Sequence, residues 1–152
     1  MKKVVAPKGY FFRIVKDPYG GWSINLYRKF KNSHRNIGHV NLCREYSRCY
    51  STHSNLDDKY HGKGLGALMY AKAIQWGIEN GYRIKSSGGS SSDALRVWRG
   101  STLKRFFDIK VKPGRNYHDQ THNPEYDTFY PRPKKEDRCR VSSKKRPAKR
   151  RK

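Results

Sequence analysis

His61, Gly62, Lys63, Gly64, Leu65 and Gly66 stand directly before a run, from about Gly64 to Asn80, whose apolar residues recur at helical spacing. The first turn of a helix exposes N–H groups without intrahelical partners and carries the positive end of the macrodipole, so it attracts anions. Glycines at 62, 64 and 66 remove the side chains that would hold a phosphate away from those groups, and Lys63 adds a cation. The chemistry implied is a bound phosphate or pyrophosphate. Two phosphate motifs do not fit. A P-loop needs G-K-[ST] at its end, whereas Gly66 is followed by Ala67 and Leu68. A dinucleotide fingerprint needs a hydrophobic strand before it and an acid after the next strand, where this chain has LDDKYH and KSSGG.

Other chemistry-bearing residues are scattered. His53 and Glu45 are eight apart, and strand alternation would put both on one face, where they could take a proton; each also reads as an ordinary surface residue. Asp57 and Asp58 suit a turn and Asp93 a helix start. Trp22, Trp76 and Trp98 read as core. His118 and His122 lack a metal-ligand pattern, and no metal is expected. Cys43, Cys49 and Cys139 form an odd, widely spaced set that suits free thiols.

The elements that must position these residues follow from pattern. Tyr10 to Lys16 and Trp22 to Phe30 are aromatic and β-branched runs around DPYGG, which predicts a hairpin. Strands over Ile37 to Cys43 and about Arg48 to Leu56 extend it into an antiparallel meander. In the helix that follows, Leu65, Leu68, Met69, Ala73 and Trp76 form the apolar face, Lys72, Gln75 and Glu79 the polar one, and Gly81 the stop. A strand over Tyr82 to Ser86, a helix over SSDALRVWR ending at Gly100 and a strand over Phe106 to Val111 complete an α/β (α+β) chain. The expected organisation is a domain over 1–116, an irregular extension over 117–132 and a basic, disordered tail over 133–152.

Of 152 residues, 35 are Lys or Arg against 12 acids, a formal charge of +23, with mean hydropathy −1.07. Outside the tail the balance is still 24 to ten. Such charge suits polyanionic surroundings. No apolar run approaches a membrane span or a secretory signal, so no membrane partner and a cytoplasmic location are expected, or a nuclear one in a eukaryotic cell.

The stretch LDDKYHGKGLGALMYAKAIQWGIENG resembles the strand, cofactor loop and helix of the GNAT acyltransferase superfamily, whose pyrophosphate signature is Q/R-x-x-G-x-G/A. His61 falls at the Gln or Arg, with Gly64 and Gly66 in register, and SSDALRVWRG is similar to the family's second motif. The resemblance covers about residues 36 to 111 and implies a mixed, mostly antiparallel sheet with flanking helices. It implies acetyl-CoA as co-substrate, its pyrophosphate on Gly62, Lys63, Gly64, Leu65 and Gly66 with His61 beside them, and its pantetheine along Asn55 and Leu56. It further implies transfer of the acetyl group to an amine. Three features depart from the family. Trp98 stands where a thiolate-protonating tyrosine is common, His61 replaces Gln or Arg, and no room exists between Lys16 and Trp22 for the two helices that usually shape the acceptor site.

The basic chain makes a macromolecular acceptor attractive, a protein amine or one associated with nucleic acid or a ribonucleoprotein. Lys144, Lys145, Arg146, Lys149, Arg150, Arg151 and Lys152 would hold phosphates, act as a nuclear address, or simply solubilise. The alternative to an enzyme is a non-catalytic protein of the same fold that binds nucleic acid or a protein partner. The compact, basic organisation is also similar to small phage-encoded members. Oligomeric state is not readable from the sequence.

Overall fold

Residues 2–135 are described by a computed structural model. The tail cations from Lys144 to Lys152, and Cys139, lie outside them. Strands β1 (Tyr10–Asp17) and β2 (Gly21–Lys29) pair in antiparallel register from Tyr10↔Arg28 to Asp17↔Gly21. The turn between them closes because Asp17 accepts from Gly20 N–H through its carbonyl and from Tyr19 N–H through its carboxylate, while Gly20 takes φ 93°. β3 (His34–Tyr46) and β4 (Cys49–Leu56) continue the meander. Helix α1 (Leu65–Glu79) then crosses over and β5 (Arg83–Ser86) pairs parallel to β4, giving a sheet in the order β1-β2-β3-β4-β5. Helices α2 (Ser92–Arg99) and α3 (Ser101–Phe106) follow, and β6 (Phe107–Lys112) and β7 (Thr128–Pro133) form a separate antiparallel pair.

Alternation decides which sheet face is buried. Ile24, Leu26, Val40 and Leu42 are buried on one face, against Leu65, Met69, Ala73 and Ile74 of α1. Their neighbours Ser23, Asn25, Asn41 and Cys43 point the other way and are half-buried or exposed. Among the described residues no helix covers that second face, because the tight β1–β2 turn leaves no chain to build one.

Two segments depart from expectation. The stretch expected to be irregular, 117–132, carries most of β7, whose Phe129 is buried and stacks on Trp98 at 5.8 Å and 11°. Two prolines in TFYPRP mask the strand pattern; they are tolerated because this small sheet has only edge strands. Helix α3 was not expected either: Gly100 ends α2 by donating to Val97 O, and its extended backbone also starts a new turn whose Leu103 and Phe106 are buried. Gln75, expected on the polar face, is 1% exposed. Its amide accepts from Val4 N–H and donates to Lys2 O, fastening the N-terminal segment onto α1. The serines and Asp93 do start α2 as expected: Ser91 is the cap, its Oγ accepting from Ala94 N–H at 3.2 Å, and Asp93 stands in the first turn and pairs with Arg96.

The loop between β6 and β7 is organised around one carboxylate. Asp127, 7% exposed, accepts from Gly114 N–H at 2.9 Å and lies 3.2 Å from Arg99 and 3.1 Å from His122. The Gly114 backbone bond, followed by the His122 and Arg99 contacts, outweighs burial and holds its pKa below the ordinary carboxylate range.

Candidate functional site

A cleft of about 590 Å³ opens where the glycine loop meets the sheet. Its walls are the end of β4 (Ser54, Asn55, Leu56), the loop (His61, Gly62, Gly64, Gly66), Met69 and Tyr70 of α1, and the first turn of α2 around Ser91 and Ala94. Gly64 is the N-cap of α1 in the left-handed region, φ 76°, and no side chain caps the helix. A Cβ added at Gly62 or Gly64 would meet nothing within 4 Å. The three first N–H groups of α1 therefore border open space with a positive dipole behind them.

The strands shape the other wall. β4 and β5 pair from Cys49↔Arg83 to Thr52↔Ser86, where β5 ends, so residues 53–56 have no β5 partner. The β5-side edge of β4 is therefore open beyond Thr52 and leads into the cleft at Ser54, Asn55 and Leu56. At the end of β5, Phe129 N–H of β7 donates to Ser86 Oγ at 2.9 Å.

His61 does more than border the loop. Its Nε2–H donates to Leu56 O at 2.8 Å, and Asp58 lies 3.9 Å away, so the ring ties the loop to the end of β4. Lys63 lies 5.6 Å from the centroid of the Tyr60 ring, beside the loop. The cleft's apolar side contains a hydroxyl pair: Tyr70 Oη and Ser54 Oγ are 2.8 Å apart. Burial pushes the Tyr70 pKa up, outweighing its hydrogen bond with Ser54, so the phenol holds its proton across the neutral range. Trp98 packs edge-to-face on Tyr70 at 5.7 Å and its Nε1 has no partner among the described residues. An indole there is packing, and the nearest phenol comes from α1.

His53 and Glu45 are linked through Ser51 on the uncovered face. Ser51, two residues before His53 on β4, donates its hydroxyl to Glu45 Oε2 at 2.8 Å. That leaves Ser51 Oγ to accept from His53 Nε2–H, at a long 3.4 Å, with Nδ1 as the basic nitrogen. Lys85 Nζ lies 3.8 Å from Glu45 Oε1. Ser51 is 1% exposed while His53 is open to solvent. Tyr70, Ser54, Ser51 and Lys85 escaped sequence reasoning. The i, i+2 spacing of Ser51 and His53, and Tyr70 one helical turn after Gly66, were the available signals. Asp57 pairs with Arg35 and His122 with Asp127, which gives both structural roles. Among the described residues no cluster of His, Cys, Asp and Glu could hold a metal, and no helix is long and apolar enough to cross a membrane.

A β-meander, a glycine loop opening a crossover helix, a parallel β4–β5 pair in which β4 outruns β5, and a following helix make up the GNAT fold. Solved structures share it. The chain is similar to the IAA acetyltransferase of Bacillus cereus (13% identity, TM-score 0.50, 80% of this chain and 97% of that one). It is equally similar to a GNAT family acetyltransferase from Elizabethkingia anophelis determined with acetyl-CoA bound (14%, TM-score 0.50, 82% and 97%). Against a GNAT family acetyltransferase of Streptococcus pneumoniae the values are 18% identity, TM-score 0.44 and 73% of this chain, which spans 65% of that protein's length. No family profile matches the sequence, and no curated protein matches it.

Proposed function

We propose that the protein is an acetyl-CoA-dependent N-acetyltransferase acting on an amine carried by a macromolecule. The observation that carries this reading is that β4 bears a glycine-lined cleft at its end, on the helix side, and a hydrogen-bonded His53–Ser51–Glu45 set on its open side. The N–H groups of Leu65, Gly66 and Ala67 would hold the pyrophosphate, and the edge of β4 at Asn55 and Leu56, beyond its pairing with β5, the pantetheine. Acetyl-CoA would supply a thioester carbonyl, at which the amine nitrogen forms an N–C bond as the C–S bond breaks.

The chain's own residues handle the protons. An ammonium has no lone pair, so the acceptor must lose a proton, and His53 Nδ1 can take it directly or through water. Glu45, acting through Ser51, positions the ring and stabilises the imidazolium. Tyr70 holds a proton on the cleft side and can deliver it to the departing thiolate, the task that Trp98 cannot perform. With the second sheet face bare, the acceptor side is wide, which suits an amine on a protein or a nucleic-acid-associated surface more than a small molecule.

Trp98 in the place of the common tyrosine is the specific observation that favours a non-catalytic protein of this fold. Calorimetric titration with acetyl-CoA and CoA, followed by labelled acetyl transfer to basic protein acceptors, separates the two. Cofactor binding with transfer that falls in His53→Gln supports the enzyme. Binding without transfer to any acceptor favours the second reading, and no binding by the folded protein rejects the pocket.

A further inference from the structure

The uncovered sheet face ends, at β1 and β2, in an aromatic platform. Phe11 and Tyr27 are direct cross-strand partners with rings stacked at 5.0 Å and 9°, and His34 of β3 meets both edge-on at 5.5 and 5.3 Å. The Arg13 guanidinium lies 5.0 Å from the Tyr27 centroid and 5.7 Å from that of Phe11, and Lys29 Nζ lies 5.8 Å from Phe11. Arg13, Lys29 and His34 are exposed, and the two rings are half-buried. Towards β4 the face continues through the polar side chains of Asn25, His39 and Asn55, which share one row of the sheet. Its acids, Asp17 and Glu45, stand at the other end of the strands, and Glu45 is engaged by Ser51 and Lys85.

We propose that this face binds single-stranded nucleic acid, with unpaired bases stacking on the Phe11–Tyr27–Arg13 platform and phosphates meeting Arg13 and Lys29. The occupant follows from two kinds of complementarity. Charge selects a polyanion, since even without the tail the chain carries 24 Lys or Arg against ten acids. The rings then select among polyanions: an acidic peptide would engage the cations and leave the platform without a stacking partner, whereas a base has a π-face to lay on it. A duplex hides those faces, so the strand must be single. The platform is built from β1, β2 and β3, whereas His53 stands on β4, and it does not rest on the acetyl-transfer reading.

The test is fluorescence anisotropy of the full chain with a labelled 12-nucleotide oligouridine, an RNA duplex of the same length and an oligoglutamate peptide of matched charge, across a salt series. The variants are Phe11→Leu and Tyr27→Leu, which remove a ring but keep apolar volume, and Arg13→Gln, an exposed change that leaves the fold intact; thermal melting checks all three. The expected result is tighter binding of the single strand than of the duplex. Each ring variant should lower single-strand affinity about tenfold and narrow its margin over the duplex. Arg13→Gln should flatten the slope of log K against log salt by a little under one. Oligouridine affinity and slope unchanged in Arg13→Gln and in the folded ring variants would overturn the proposal. So would an oligoglutamate that binds as tightly and loses as much in Phe11→Leu, which would assign the face to an acidic protein segment.

Discussion

Replacing Gly64 by Glu should abolish acetyl-CoA binding while leaving the protein folded, and the two effects can be estimated separately. Gly64 sits at φ 76°, where an L-residue pays roughly 1–2 kcal/mol. For a chain of 152 residues that is a fall of about 3–6 °C in melting temperature. Sterically the change is silent in the protein, because a Cβ at this position meets nothing within 4 Å. Charge is another matter. A carboxylate about 5 Å from one unit of phosphate charge costs about 3 kcal/mol at an effective dielectric of ~20, more than a hundredfold in affinity. Gly64→Ala shares the backbone strain without the charge and should lose far less. Calorimetric titration with acetyl-CoA and CoA, with melting curves on the same samples, reads both quantities. If folded Gly64→Glu binds within about threefold of wild type, the pyrophosphate does not sit on this loop and the assignment of the cleft fails.

Other residues give further expectations. Tyr70→Phe should lower kcat by about tenfold or more with little change in KM for acetyl-CoA, since it removes the proton and keeps the ring that packs on Trp98; an unchanged kcat would return that proton to solvent. Trp98→Phe should cost only about 1 kcal/mol in chemical denaturation, because the indole N–H has no partner to lose among the described residues. Asp127→Ala should cost about 2–4 kcal/mol by leaving Gly114 N–H without its acceptor and removing the contacts to Arg99 and His122. The folded Asp127 carboxyl has a lowered pKa, so its contribution is whole above the ordinary carboxylate range and fades as pH falls through the lowered value. Wild type should therefore lose stability in acid, and Asp127→Asn should lose less over that interval; equal acid profiles would refute this.

Local patterns made the meander, α1 and the glycine loop legible, because each rests on signals within a few residues: the DPYGG turn, the helical recurrence of Leu65, Met69 and Ala73, and the positive-φ glycine ahead of the helix. Tertiary partners hid the rest. β7 carries prolines and is specified by Phe129 meeting Trp98, thirty-one residues earlier. Gln75 reads as a surface residue until the N-terminal segment supplies its two backbone partners. At the site, the His53 and Glu45 pairing depends on Ser51 and on the irregular register between Arg44 and Tyr46, which the sequence spacing does not encode. Tyr70 reads as one more apolar-face residue, and only the packing of Trp98 shows that its hydroxyl borders the cleft.

The three-residue turn between β1 and β2 has a consequence for selectivity. Where two helices would roof the acceptor side there is bare sheet, so the proposed enzyme has one wall and must borrow the other from whatever docks on it. Discrimination between amines would then depend on how long a partner stays seated, with small free amines passing over His53 too briefly to react. Water would reach the same imidazole whenever the face is vacant. Slow loss of acetyl groups to solvent, suppressed as a partner covers the sheet, would be the signature of a catalyst that is complete only in company.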